Sequence, residues 1–367
     1  MLQNWITPLV TDSLGIDQLH KDRFGRHVSF FQTDQDSLSE ARLAIIGLDT
    51  DAANAVRQKL YSFSWPFEKL KITDLGNTRR SDPAFLVPLL RELLDSKIFP
   101  LLIGQTDQAL QAMYQAFLQL KPHISLALID EEIPLSARKR KDPNLYLNEI
   151  IHGKHQDLFH LSLIGSQLHL CDPTALRLLD RRHYEYIRLG SARADLSELE
   201  PSLRDADLAA FNLGCIRASE APEVEHPSPS GFFTEEACRI CRYAGMSDKL
   251  RAFGLFGLPS SAHSDDMSVQ TAAQLLWYFI DGFYHRKNDF PVTNTGLTEY
   301  IVSFKHRDTN LTFWKSNRSG RWWIQAPVDT DEDVQRHRLI PCSYSDYQAA
   351  LREELPDRLV NAFQRFQ

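Results

Sequence analysis

The sequence has no apolar run near the roughly 20 residues that a bilayer span requires. Its best candidate, Ala272 to Phe279, is short, contains Gln274 and is followed by Asp281. The opening MLQNWITPLV carries no basic stretch ahead of an apolar one, which predicts no secretory signal and a cytoplasmic location. Positive charge is also scarce: 41 Lys and Arg against 48 Asp and Glu leave a formal charge of −7. A broad nucleic-acid footprint needs a net basic face, so nucleic acid is not expected as a partner. Phosphate loops of the G-x-x-x-x-G-K-[ST] and G-x-G-x-x-G kinds are missing. GSQLH (Gly165–His169) is not a G-x-S-x-G elbow, because His169 stands where the last glycine belongs.

Five cysteines are too few and too scattered for a disulfide scaffold. Cys238 and Cys241 form a CxxC, but no second CxxC or His pair lies at metal spacing, and both fall inside the helical pattern TEEACRICRYAG. They are expected to be half-buried helix thiols. His263, Asp265 and Asp266 resemble a metal or acid–base cluster, yet an Asp just ahead of a helix usually caps it or charges its first turn.

What is present is ordinary globular material, 43% hydrophobic and 24% charged. Short apolar runs alternate with helix-length amphipathic segments, which predicts a parallel sheet with crossover helices. Strands are expected at 42–48, 99–103, 125–129, 159–164, 186–189, 208–213 and 252–258, with a weaker one near 70–73. Such near-continuous apolar runs suit strands covered on both faces. Helices are expected at about 52–63, 83–96, 107–121, 173–182, 234–246 and 269–286. The helix near Thr234 carries Glu235 and Glu236 in its first turn, with Ala237 where a capping-box Glu would stand. After Asn288 the pattern turns to strands, with Asn317–Gly320 as a hairpin turn, a capping box at Ser345 and Gln348, and a break at Pro356 before a last helix. The division expected is 1–288 for the main domain and 289–367 for an appendage packed on it. Trp314, Trp322 and Trp323, with Arg321, Lys315 and Arg318 near them, are expected to pack that hairpin; the alternative is an exposed partner patch built on Trp314, Arg321, Trp322 and Trp323.

In open parallel sheets, ligands bind beyond the carboxyl ends of the strands. Three such ends carry polar runs: IGQTDQ (103–108), IDEEIP (129–134) and FNLGCIRASEAP (211–222). With the later PSGFFTEEACRICRYAG, WYFIDGFYHRKNDFP, TFWKSNRSGRWW and IPCSYSDYQ segments, they resemble the ureohydrolase family of arginase, agmatinase and formimidoylglutamase, in its formimidoylglutamase-like branch. The resemblance implies a three-layer α/β/α sandwich with a mainly parallel sheet of about eight strands, hydrolysis of linear amidines or guanidines, a manganese pair, and self-association. The pair would be held by a GGDH-type turn, a DxHxD strand end and a DxD strand end, because a dinuclear cation needs several carboxylates to neutralise it.

Matched to those motifs, the chain departs. Gly104 agrees, but Gln105, Thr106 and Asp107 stand for Gly, Asp and His. Asp130 agrees, but Glu132 and Pro134 replace His and Asp. Asn212 and Gly214 occupy the two Asp positions of the third motif, and the family's later Glu would fall within Leu255–Leu258, where nothing is acidic. The expectation is a catalytically silent member, without a cofactor, that binds a protein or small molecule. The alternatives are an active hydrolase with a remodelled metal site and a metal-free enzyme using Asp107, Asp130 or Glu132 as base. Asp107, Asp130 and Glu132 are oxygen donors suited to a single weak hard cation; failing that, Arg217 is the expected counter-charge.

Overall fold

The computed structural model describes all residues except 1, 34–37, 107, 139–141, 143, 154–157, 260, 292, 305–308, 327–336 and 367. The strands of the main sheet are β1 (Ile6–Thr7), β2 (Ser29–Phe30), β3 (Leu43–Gly47), β4 (Ile72–Thr78), β5 (Phe99–Ile103), β6 (Ile124–Ile129), β7 (Leu158–Ser166), β8 (Glu185–Arg188), β9 (Leu208–Asn212) and β10 (Ala252–Phe256). Their order is β1-β4-β3-β5-β10-β9-β6-β7-β8, with β2 also beside β4. Every pairing is parallel except that of β1 with β4. Eight of the ten strands are those expected; β1 and β2, of two residues each, are too short to leave an apolar pattern. The weakly signalled strand near residue 70 is β4, wholly buried although its sequence, ITDLGNT, is half polar.

Helices α1 (Thr50–Tyr61), α2 (Pro83–Asp95), α3 (Ala109–Leu118), α4 (Leu147–Ile151), α5 (Pro173–Arg181), α6 (Leu189–Ala194), α7 (Leu199–Arg204), α8 (Thr234–Gly245) and α9 (Met267–Tyr284) cover both faces. Alternate strand residues face opposite ways. Leu43 and Ile45 therefore join α1, α7, α8 and α9 in one apolar layer, and Ala44 and Ile46 join α2, α3, α4 and α5 in the other. The three-layer α/β/α sandwich is thus present. The short helices α4, α6 and α7 are not among the expected helices, because five or six residues span too few turns to show a helical period.

Beyond α9, strands β11 (Leu297–Phe304), β12 (Thr309–Ser316), β13 (Trp322–Gln325) and β14 (Leu339–Cys342) form a second, antiparallel sheet, followed by α10 (Tyr344–Leu351) and α11 (Asp357–Arg365). Two capping expectations are displaced. At α10 the box is Ser343 with Asp346, not Ser345 with Gln348. At α8 the Phe233 backbone N–H donates to Glu236 Oε2 at 2.9 Å, so the box acid sits one residue earlier than Ala237.

All three tryptophans of the hairpin region are buried, Trp314 at 9%, Trp322 at 7% and Trp323 at 1% exposure. The neighbours Trp322 and Trp323 do face opposite ways, but both faces are covered. Trp322 stacks on Tyr347 with centroids 4.8 Å apart, and the Arg204 guanidinium lies 4.5 Å from the Trp323 ring. Arg321 is engaged as well, with Nε 3.2 Å from Glu200 and Nη1 donating to the Met246 carbonyl. Arg321 and Trp323 therefore join the second sheet to the main sandwich, Trp322 packs within the C-terminal part, and the set Trp314, Arg321, Trp322 and Trp323 is not an exposed partner patch.

Candidate functional site

The central strands β5, β10, β9 and β6 end level with one another, as the pairs Leu255↔Ile103, Phe256↔Asn212 and Ile129↔Phe211 show. The polar runs that follow them therefore meet in one cleft of about 440 Å³. Gln105, Thr106, Asp130, Glu131, Glu132, Pro134, Tyr146, Asn212 and Gly214 are part of its lining. Gly104 packs just beneath the rim, where an added Cβ would come within 2.7 Å of the Leu48 side chain. Asp107 lies outside the described residues.

Asp130 is the centre of the cleft's polar contacts. It is 6% exposed; its Oδ2 accepts from the Tyr146 hydroxyl at 2.9 Å and from Asn212 Nδ2 at 3.4 Å, and its Oδ1 accepts from the Glu132 backbone N–H at 3.3 Å. Burial pushes this carboxyl up to about 6, Glu132 adds repulsion, and the hydrogen bonds from the Glu132 backbone and Tyr146 pull the other way. Beside it Glu131 is also 6% exposed and is pushed up to about 8, first by burial, then by repulsion from Asp130 and Glu132. Gln167 closes on Glu131 from just past the end of β7, its backbone N–H donating to the Glu131 carbonyl at 2.9 Å. Glu132 itself is exposed.

Arg217 does not meet these acids. Its guanidinium lies 4.1 Å from the centre of the Phe233 ring, a cation–π contact that competes with the expected ion pair. No lysine or arginine lines the cleft among the described residues. The pair missed from the sequence is Glu131 and Tyr146. Alternate residues share a face only within a strand, and β6 ends at Ile129, so Glu131 is free to turn inward beside Asp130. Tyr146 arrives from a loop after a proline and carries no motif.

His263, Asp265 and Asp266 stand ahead of α9. Asp266 occupies the N-cap position, but its Oδ2 accepts from the His263 backbone N–H at 2.8 Å, while the first-turn N–H of Ser268 donates to Glu223 Oε2 at 2.9 Å. Glu223, from the loop between β9 and α8, caps the helix in its place. Cys238 and Cys241 are both buried on α8, and burial pushes the Cys238 thiol up to about 12.

The residues at the family's ligand positions do not suit a manganese pair. Gly214 and Pro134 have no donor side chain, and the Asn212 carboxamide is used internally, Oδ1 accepting from the Gly214 N–H at 2.8 Å. A Cβ at Gly214 would stand 3.1 Å from both Asn212 Oδ1 and Glu131 Oε1, so the space an aspartate would need is already taken by oxygen atoms. Near Leu255–Leu258 the cleft is lined by Gly257 and Leu258. Among the described residues, no three His, Cys, Asp or Glu side chains are grouped to hold a metal ion.

A large parallel sheet between two helical layers, with its cleft at the carboxyl ends of the central strands, is the ureohydrolase, arginase-like fold, and the chain has that fold. Solved structures similar to it include the formiminoglutamase of Trypanosoma cruzi, determined with manganese (16% identity, 69% of this chain and 97% of that one, TM-score 0.62). The formimidoylglutamase of Bacillus subtilis matches at 16% identity over 71% and 91%, TM-score 0.61. The agmatine ureohydrolase of Thermoplasma volcanium matches at 13% identity over 69% and 94%, TM-score 0.54. No family model matches the sequence, and no curated protein does. Among the described residues, no helix is long and apolar enough to cross a membrane.

Proposed function

We propose that this chain is a catalytically silent protein of the ureohydrolase fold that acts by binding a protein or a small molecule in the cleft. The observation that carries this reading is the state of the third motif. Asn212 and Gly214 are hydrogen-bonded to each other, and the Gly214 side-chain space is filled by Glu131. Hydrolysis of an amidine or guanidine needs a water made nucleophilic near neutral pH, and a paired metal site is the family's means of making it. The cleft is acidic and without lysine or arginine in its described lining, so it suits a neutral or cationic ligand and repels a polyanion.

One observation favours a second reading. Asp130 near 6 and Glu131 near 8 share the cleft with their protonation ranges set apart, which is the condition for an acid–base pair working without a metal.

The test is metal content and turnover of the purified chain after incubation with Mn²⁺, using formiminoglutamate, agmatine and arginine as substrates. The expected result is substoichiometric manganese and no release of formamide or urea above buffer. Two manganese equivalents with turnover would restore the hydrolase reading. Turnover that survives a chelator and is lost in Asp130→Asn would establish the metal-free one.

A further inference from the structure

The opposite edge of the sheet holds a second and larger cavity, about 1010 Å³, between the amino ends of the central strands and the C-terminal sheet. This is the upper end of the range for small-molecule sites. Lys97, Lys121 and Arg251 line it from positions just ahead of β5, β6 and β10, and Arg338 faces them from just ahead of β14. None of these four cations has a carboxylate partner among the described residues. The apolar part of the wall is Leu94, Phe117, Phe290 and Trp314, the indole held in place by its N–H donating to Gln325 Oε1 at 2.9 Å.

Two buried polar atoms of the lining, Arg338 Nε and Asp248 Oδ1, are without hydrogen-bond partners among the described residues. The other oxygen of Asp248 accepts the Asp289 N–H at 3.0 Å. A buried donor or acceptor left unmade is costly, so such atoms normally find a partner. The lining also carries the carboxylates of Asp95, Asp207, Asp248 and Glu299, none of them ion-paired with these four cations. The Arg286 guanidinium is pushed down to about 9, chiefly by burial, with Asp248 opposing and repulsion from Arg251, Arg42 and Arg321 adding to the fall.

We propose that this cavity is a binding site for a small organic anion, a phosphate or carboxylate carried on an aromatic or apolar body. Arg251 and Arg338 receive the oxyanion through charge-assisted hydrogen bonds, and Lys97 and Lys121 add attraction at the mouth. The apolar body lies against Trp314 and Phe290, and a donor on it meets Asp248 Oδ1. Nothing here depends on the cleft at the other edge, so this site stands or falls by itself.

The test is calorimetry and tryptophan fluorescence on the full chain with phenyl phosphate, benzoate, inorganic phosphate and benzamidine. Phenyl phosphate or benzoate is expected to saturate one site per chain, with inorganic phosphate weaker and benzamidine inert. The tighter of the two assigns the oxyanion. In Arg251→Met/Arg338→Met the affinity is expected to fall by about tenfold or more, with the melting temperature within a few degrees of wild type. Should that pair fail to fold, Lys97→Met and Lys121→Met, both at exposed positions, are each expected to weaken binding severalfold. No saturation by either aromatic anion up to on the order of 10 mM, equal binding of benzamidine, or unchanged affinity in the foldable variants would overturn the proposal.

Discussion

The Tyr146 hydroxyl donates to Asp130 Oδ2 at 2.9 Å, tying the start of α4 back to the end of β6. This bond holds Asp130 toward its charged form against the burial that lifts it. Tyr146→Phe is expected to move the Asp130 titration from about 6 to a higher pH, and to cost about 1 kcal/mol of stability at pH 7. Infrared or NMR titration of the carboxyl checks the first and urea unfolding the second. An unmoved titration would mean that Tyr146 does not bond Asp130 in solution.

Glu131 sets the pH dependence of stability around the cleft. Its folded value near 8 lies above the ordinary 4.5, so the folded chain holds this proton where the unfolded chain releases it. The stability is complete below about pH 4.5 and is lost as pH rises through 8. One pKa unit is about 1.4 kcal/mol; with solvent screening at the open cleft, the loss between pH 5 and 8 is roughly 2 kcal/mol. Glu131→Gln, which never charges, is expected to be the more stable protein at pH 8 and to show a flatter profile. Denaturant midpoints at pH 5, 6.5 and 8 measure this, and parallel profiles would refute it.

Arg204 ties the C-terminal sheet to the main domain. It is 3% exposed, donates to the Trp322 and Cys342 carbonyls at 3.2 Å, pairs with Glu200 at 2.9 Å and faces the Trp323 ring. Arg204→Ala strips several buried groups of their partner at once, and the expected cost is about 3–5 kcal/mol by chemical unfolding. Arg204→Met keeps the apolar stem over Trp323 and is expected to cost less. A loss under about 0.5 kcal/mol in Arg204→Ala, the range of an ordinary surface change, would show that apolar packing alone holds the two parts together.

Most of the fold was written in local patterns. Most of the longer strands of the sheet lie in apolar runs separated by amphipathic segments, since burial on both faces favours a continuous apolar stretch, whereas β4 is half polar and only weakly signalled. The absence of side-chain donors at Gly214 and Pro134 was equally plain, being a matter of residue identity. Elements too short for a period, such as β1, β2 and α4, left no trace.

What the tertiary structure decided was which polar groups meet. That Glu131 turns inward was set by β6 ending at Ile129, and that Tyr146 reaches Asp130 was set by the path of an intervening loop. Arg217 goes to Phe233 and not to the acids because an aromatic face, distant by motif, is near in space. Glu223 takes the capping role that Asp266 was expected to fill, for the same reason. Trp322 and Trp323 are both buried because a second layer covers each face of their strand. Residue identity limits what a position can coordinate, but partnership depends on distances between segments far apart in the chain, and only the packed structure sets those.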